Sequence, residues 1–370
     1  MQVLVFGTSN SVMQRGWVNS VLDQAAGQGI CMANHSIGGA SSRLGAWLTA
    51  SHEGVASADV IVYDFAVPDR MFLQAGWLTL DDILGQYLSI LRDLMRRDAL
   101  HKALFLLFPQ SDDMAQSPML DRIAALLHDF GAGFVDFRPV LAALISAKGL
   151  APEQVFLDPR HYTPEVQHHI GRHVLALLPG LGRRQPPSAA AARLAALPAA
   201  GYRRLQLAPQ PATRDKGTRL ARFPTVELHE GDELRLSGAK YLTGVLFWAH
   251  ANSGSLTCHG GQGAIRMHLR RSFRDMFLFD SLSASLPIGP GARLRVGDDA
   301  AAANQRGLGL VDTHYDQSGA TCDLVLLLGC DIPPADYLAL FEHGAAAPVP
   351  RRQPAPWLSA LRRPWRLFWA

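Results

Sequence analysis

What most constrains the fold of this chain is a change of grammar near residue 182. Before it, short apolar runs alternate with stretches of helical spacing. Val3-Leu-Val-Phe6, Ala58-Asp-Val-Ile-Val-Tyr-Asp-Phe65, Ala103-Leu-Phe-Leu-Leu-Phe108 and Gly133-Phe-Val-Asp-Phe137 read as buried strands, and Asp81 to Arg97 and Met119 to Phe130 as helices. Strand–helix alternation implies a parallel sheet covered by helices on both faces. After residue 200 the pattern is one of short strands bounded by Gly, Asp, Asn and Pro: Thr225–Leu228, Glu233–Leu236, Gly244–Ala249, Ser255–Cys258, Ala264–Leu269, Met276–Phe279, Ala292–Val296, Leu308–Thr313 and Asp323–Leu328. That predicts an antiparallel β-sandwich of jelly-roll type.

The expected organisation is therefore an α/β domain over 1–182, an Ala/Pro-rich linker with room for a short helix over 183–200, and a β-sandwich over 201–342. A Pro/Trp/Arg-rich tail follows over 343–370. A chain of 370 residues is long for a single core. With 48% apolar and 18% charged residues, extended disorder is excluded.

A net charge of +3 with scattered basic residues gives no footprint for nucleic acid. Cys31, Cys258, Cys322 and Cys330 lie far apart without a C-x-x-C pair, so neither a zinc site nor an oxidising compartment is implied. The first residues run straight into a strand with no signal-peptide pattern, and no apolar stretch reaches the length of a membrane span, which makes a cytoplasmic protein the plain expectation. The tail, from Trp357 to Ala370, mixes tryptophan with arginine and suits either a membrane surface, a protein partner or the protein's own surface.

Three segments carry chemistry. In Phe6-Gly7-Thr8-Ser9-Asn10-Ser11 a serine follows the first strand and opens a helix, where a hydroxyl is placed to attack a carbonyl and its own N–H to hold an oxyanion. The bland reading of the same residue is an N-cap. In Leu157-Asp158-Pro159-Arg160-His161 an aspartate three residues before a histidine can fix one imidazole nitrogen and free the other as a base. In Asn34-His35-Ser36-Ile37-Gly38-Gly39 the paired glycines permit φ > 0, and Gly39 N–H can supply a second oxyanion donor, or form only an ordinary turn. His168, His169 and His173 fall at helical spacing but lack carboxylate or thiol partners, so surface positions are expected rather than a metal site. Cys258-His259-Gly260-Gly261 reads as a loop.

The order of these pieces resembles the SGNH (GDSL-type) hydrolase superfamily: Gly-x-Ser after the first strand, an Asn-x-x-x-x-Gly turn, a Gly-x-Asn-Asp motif after a later strand, and a C-terminal Asp-x-x-His. The resemblance covers residues 1 to about 180. It implies Ser9 as nucleophile, His161 as base, Asp158 as the orienting acid, and the N–H groups of Ser9 and Gly39 as oxyanion hole, with no metal or organic cofactor. Two positions depart from the pattern. Thr8 replaces the acid of Gly-Asp-Ser, and in Ala66-Val67-Pro68-Asp69 the oxyanion-hole asparagine is Pro68, which has no donor. Asn10 is the candidate substitute donor.

Some SGNH proteins of bacterial polysaccharide pathways resemble this layout, with a sandwich that binds sugar. The expectation is a serine esterase acting on O-acetylated carbohydrate or another small ester. The alternatives are an O-acetyltransferase using the same site, or a catalytically weakened glycan-binding scaffold. Tyr241, Phe247 and Trp248 are the aromatics available for stacking on sugar, although their apolar run reads more readily as a core strand.

Overall fold

The computed structural model describes residues 1–181, 188–218, 221–271, 275–297, 305 and 320–343, with the side chains of 188–190 and 343 excepted. Five parallel strands form the first sheet: β1 (Gln2–Phe6), β2 (Cys31–Asn34), β3 (Val60–Tyr63), β4 (Ala103–Leu107) and β5 (Gly133–Asp136), in the order β2-β1-β3-β4-β5. β3 and β4 are buried at every residue, as central strands covered on both faces must be.

The period-2 alternation divides their side chains between two layers. Val3, Val5, Val60, Val62, Leu104 and Leu106 face one cluster, and Leu4, Phe6, Ile61, Tyr63, Phe105 and Leu107 face the other. After β1 come α1 (Ser9–Val12) and α2 (Trp17–Gln24), and after β2 come α3 (Ser42–Ser51) and α4 (Gly54–Ser57). After β3 come α5 (Ala66–Gln74) and α6 (Leu80–Arg96), after β4 comes α7 (Pro118–Asp129), and after β5 come α8 (Phe137–Lys148) and α9 (Pro152–Val155). A small ribbon of β6 (Phe156–Asp158) and β7 (His161–Tyr162) then leads into α10 (Pro164–Leu177). Local signals fix these helices. Thr79 and Asp82 form a capping box on α6, Ser117 caps α7 with Pro118 in its first turn, and Asp136 caps α8.

Beyond α11 (Ser188–Ala196) the strands are β8 (Arg203–Arg204), β9 (Gln206–Ala208), β10 (Arg214–Gly217), β11 (Arg222–His229), β12 (Glu233–Ser237), β13 (Tyr241–Ala249), β14 (Ser255–Gly260), β15 (Gly263–His268), β16 (Met276–Pro287), β17 (Arg293–Val296) and β18 (Thr321–Cys330). They build two antiparallel sheets, β10-β11-β18-β13-β16 with β8 on β18, and β15-β14-β17-β12-β9. Val245, Phe247, Leu256, Cys258, Leu294 and Leu324 fill the space between them. The fold class is thus a helix-flanked parallel sheet followed by an antiparallel sandwich. The candidate strand 308–313, residues 183–187 of the linker stretch, and the tail from 344 lie outside the described residues. Among the described residues no helix is long and apolar enough to cross a membrane.

The two halves share a core. The outer face of β13, β16 and β18 presents Leu246, Phe279, Val325, Leu326 and Leu328 to the cluster formed by α3, α6 and α7. In the stretch expected as a linker, Leu194 of α11 and Leu197 just after it are buried in that same cluster, and α12 (Pro334–His343) adds Tyr337 and Leu338. Arg43, 1% exposed, donates Nη1 to the Thr243 and Leu282 carbonyls at 2.5 and 2.9 Å, and the Ser41 and Ser281 hydroxyls lie 2.5 Å apart.

Candidate active site

The site lies at the carboxyl end of β1, where an open α/β sheet presents loops and helix starts. Gly7 makes the turn, and its lack of a side chain is required there. An added Cβ would stand 2.5 Å from Ser11 Oγ and 3.0 Å from both Asp64 Cβ and Ser36 Oγ. Thr8 is extended, and Ser9 is the first residue of α1, so its N–H has no intrahelical acceptor.

The ribbon β6/β7 pairs Asp158 with His161 and carries both to Ser9. Asp158 Oδ1 accepts from the backbone N–H of Arg160 at 2.8 Å and of His161 at 3.1 Å. Asp158 Oδ2 lies 2.6 Å from His161 Nδ1, and His161 Nε2 lies 2.9 Å from Ser9 Oγ. A carboxylate on Nδ1 places the imidazole proton there, which leaves Nε2 to accept from the serine hydroxyl. Burial pushes the Asp158 carboxyl up, but its hydrogen bond to His161, the charge there and the two backbone donors outweigh it and hold the group below the ordinary carboxylate range.

Asn10, the residue expected as a substitute donor, has hydrogen-bond partners at both ends of its amide. It is fully buried, its Nδ2 donates to the Arg160 carbonyl at 3.1 Å, and its Oδ1 accepts from Gln167 Nε2 at 2.9 Å. The two ends of the amide tie α1 to the histidine loop and to α10. On the other side, Asn34 donates to the Ser11 carbonyl at 2.7 Å, and Ile37 N–H to the Gly7 carbonyl at 3.0 Å, docking the glycine loop against the Ser9 turn. Gly39 adopts φ +73°, the conformation that favours glycine. Pro68 occupies the first turn of α5, and Asp69 beside it caps α3 by accepting from Ser42 N–H at 2.9 Å.

Sequence reasoning missed Asp64. It is fully buried beneath α1, its Oδ2 accepts from Ser11 Oγ at 2.6 Å, and Ser11 Oγ in turn accepts from Trp17 Nε1 at 3.1 Å. The available signal was an aspartate directly after the apolar run Val60–Tyr63. The remaining sequence candidates lie away from Ser9. His168 Nδ1 is 3.1 Å from Ser20 Oγ, His169 contacts Arg172, and His173 packs edge-on against Phe137. Phe247 is wholly buried, and Tyr241 and Trp248 pack against the shared core, with Trp248 edge-on to Phe277.

No family model and no curated sequence matches the chain. Among solved structures, the chain is similar to a two-domain esterase active on acetylated mannans, with a TM-score of 0.60 at 10% identity, over 90% of this chain and 91% of that one. The same esterase co-crystallised with mannopentaose gives 0.60 at 11%, over 90% of each chain. An acetylxylan esterase from Geobacillus stearothermophilus matches 48% of this chain and 93% of its own at 17% identity, with a TM-score of 0.40. The two-domain likeness extends across both halves. The chain shares the fold of that two-domain esterase, a helix-flanked parallel sheet first and an antiparallel half after it.

Proposed function

We propose that the protein is a serine esterase that removes O-acyl groups, acetyl foremost, from carbohydrate. The observation that carries this reading is the unbroken relay from Asp158 through His161 to Ser9, at 2.6 and 2.9 Å. Such a relay gives a neutral hydroxyl the means to become a nucleophile. The fold shared with an esterase active on acetylated mannans supports the choice of acyl group and substrate class.

Ser9 Oγ attacks the acyl carbonyl carbon while its proton passes to His161 Nε2. Asp158 stabilises the imidazolium through Nδ1, and the N–H groups of Ser9 and Gly39 receive the oxyanion. Collapse breaks the bond to the sugar oxygen, which takes the proton from Nε2. Water then gives a proton to His161 and attacks the acyl-enzyme carbonyl, and collapse breaks the bond to Ser9 Oγ, which takes that proton back from Nε2 as the carboxylic acid leaves. A sugar hydroxyl in place of that water would make the same site an acetyltransferase. Pro68 argues for a slow enzyme, since loss of one oxyanion donor costs about 10²–10³ in rate. In the limit of no turnover it favours a glycan-binding protein.

The test is a fluorophosphonate probe together with p-nitrophenyl acetate hydrolysis. Labelling and turnover are expected in the native protein, with turnover at least ~10⁴ lower in Ser9→Ala. Labelling that persists in Ser9→Ala, or a native protein that neither labels nor turns over, would overturn the esterase reading.

A further inference from the structure

Beside the glycine loop, where the two halves of the molecule meet, lies a cleft of about 450 Å³ that the relay does not use. Its walls include His35 from the loop, Trp47, Ser51, His52 and Glu53 from the region of α3 and α4, and Phe223 from β11 of the sandwich. The indole and the phenyl ring come from opposite halves of the molecule and are each only partly buried. The two imidazoles pack against one another with centroids 4.5 Å apart.

The chemistry of this lining selects a class of ligand. Burial holds both imidazoles below the ordinary histidine range, assisted at His35 by its neighbour and at His52 by Arg97. Near neutral pH they are uncharged rings. His52 Nδ1 accepts from Gly54 N–H at 3.1 Å, which leaves its Nε2 as a donor. Arg97 is engaged by the carbonyls of Ala50 and His52. Among the described residues of the lining Glu53 is the one charged side chain, so these residues offer no cation for an anionic ligand and no paired carboxylates for a metal ion. Two aromatic faces with uncharged donors and acceptors between them suit a polyhydroxylated, uncharged ring with apolar C–H faces, which is the surface of a pyranose.

Its position adds a second argument. His35 and Ile37 line the cleft, and Gly39 follows two residues after Ile37 in the same loop. Two residues span at most about 7 Å. His35 N–H and Ile37 N–H are pinned to the Val5 and Gly7 carbonyls, so this wall and the nucleophile turn hold one fixed relation.

We propose that the cleft is an accessory subsite for an unreacting sugar residue of the chain whose ester Ser9 cleaves. The proposal rests on the esterase reading for its role and on the cleft alone for its ligand. A two-part experiment separates them. In the first part, Ser9→Ala is titrated with mannopentaose by calorimetry, alone and combined with Trp47→Ala or with Phe223→Leu, which keeps apolar bulk at the interface. Binding in Ser9→Ala, weakened about tenfold by either second change, is the expected result. Equal affinity in all three, or no binding in any, would overturn the subsite whether or not the protein is an esterase. In the second part, KM is compared for p-nitrophenyl acetate and for an acetylated manno-oligosaccharide. Each single variant is expected to raise KM for the oligosaccharide about tenfold more than for the small ester. Equal changes on both would overturn the coupling to Ser9 while leaving the calorimetric result standing.

Discussion

Burial lifts the Asp64 carboxyl to about 6, against the Ser11 hydroxyl, the Thr8 backbone and Trp17, whose hydrogen bonds pull it down together with the charge of His161. Above that pH a fixed anion sits beneath the helix that Ser9 opens, where, on the proposed esterase mechanism, it would favour the imidazolium formed as Ser9 loses its proton. Asp64→Asn keeps an acceptor for Ser11 and removes the charge. It should lower kcat on p-nitrophenyl acetate about tenfold with KM little changed, and remove an inflection near pH 6 from the kcat profile; steady-state kinetics across pH 5–8 read both. Asp69, buried and raised to about 7, gives a stability prediction. Its folded pKa lies above the unfolded value of about 3.9, so between those values the folded state binds more protons and stability falls as pH rises. Asp69→Asn can still accept from Ser42. Relative to the native protein it should gain several degrees in Tm at pH 8 over its standing at pH 4, at roughly 2 °C per kcal/mol for a chain of this size. Calorimetric melts at the two pH values check the sign. The relay residues were legible because Asp158 and His161 are close in sequence and Ser9 follows a strand. Asp64 was not, since what explains it is a hydroxyl 53 residues away.

At the scale of elements, the fully buried strands β3 and β4 could be read from their apolar runs. β2 could not: it is an edge strand with burial alternating between exposed and half-buried, and Cys31-Met-Ala-Asn34 carries too little apolar signal. The same holds for β8 and β10, whose residues are mostly exposed and charged. α5 stayed hidden because Pro68, which suggests a break, is tolerated in a first turn where no intrahelical N–H is needed. α6 and α12 give a case where two effects oppose. Gly85 lies inside α6, and alanine there is favoured by about 1 kcal/mol of helix propensity. Yet a Cβ at Gly85 would stand 1.9 Å from the Pro334 carbonyl oxygen, and backbone cannot yield as a flexible side chain does. Overpacking of about 1–3 kcal/mol or more should win. Gly85→Ala is expected to lower Tm and to loosen α12 first, seen as faster hydrogen exchange over 334–343.

The molecule as a whole unites what the change of grammar near residue 182 divides. Sequence periodicity gave the two architectures correctly and no hint of their joint, because side chains such as Leu246, Phe279 and Leu326 look like any sandwich core until their neighbours are known. A fragment of residues 1–182 would therefore expose the faces of α3, α6 and α7 that α11, α12 and the outer sheet cover. It is expected to aggregate or remain partly folded, whereas the full chain melts in one transition; solubility and near-ultraviolet circular dichroism of the fragment test this. Arg43 bridges the same joint, and Arg43→Ala would leave the Thr243 and Leu282 carbonyls without its donor. The shared core also sets a timetable for synthesis. Ser9, Asp158 and His161 have all left the ribosome's decoding site when residue 161 is joined, but Tyr337 and Leu338, which are buried in the shared core, come far later. At about 5–20 residues per second, that interval is roughly 10–35 s. Throughout it the nascent first half must wait with its greasy flank open, so the yield of active protein should depend on how well the cell shelters that flank.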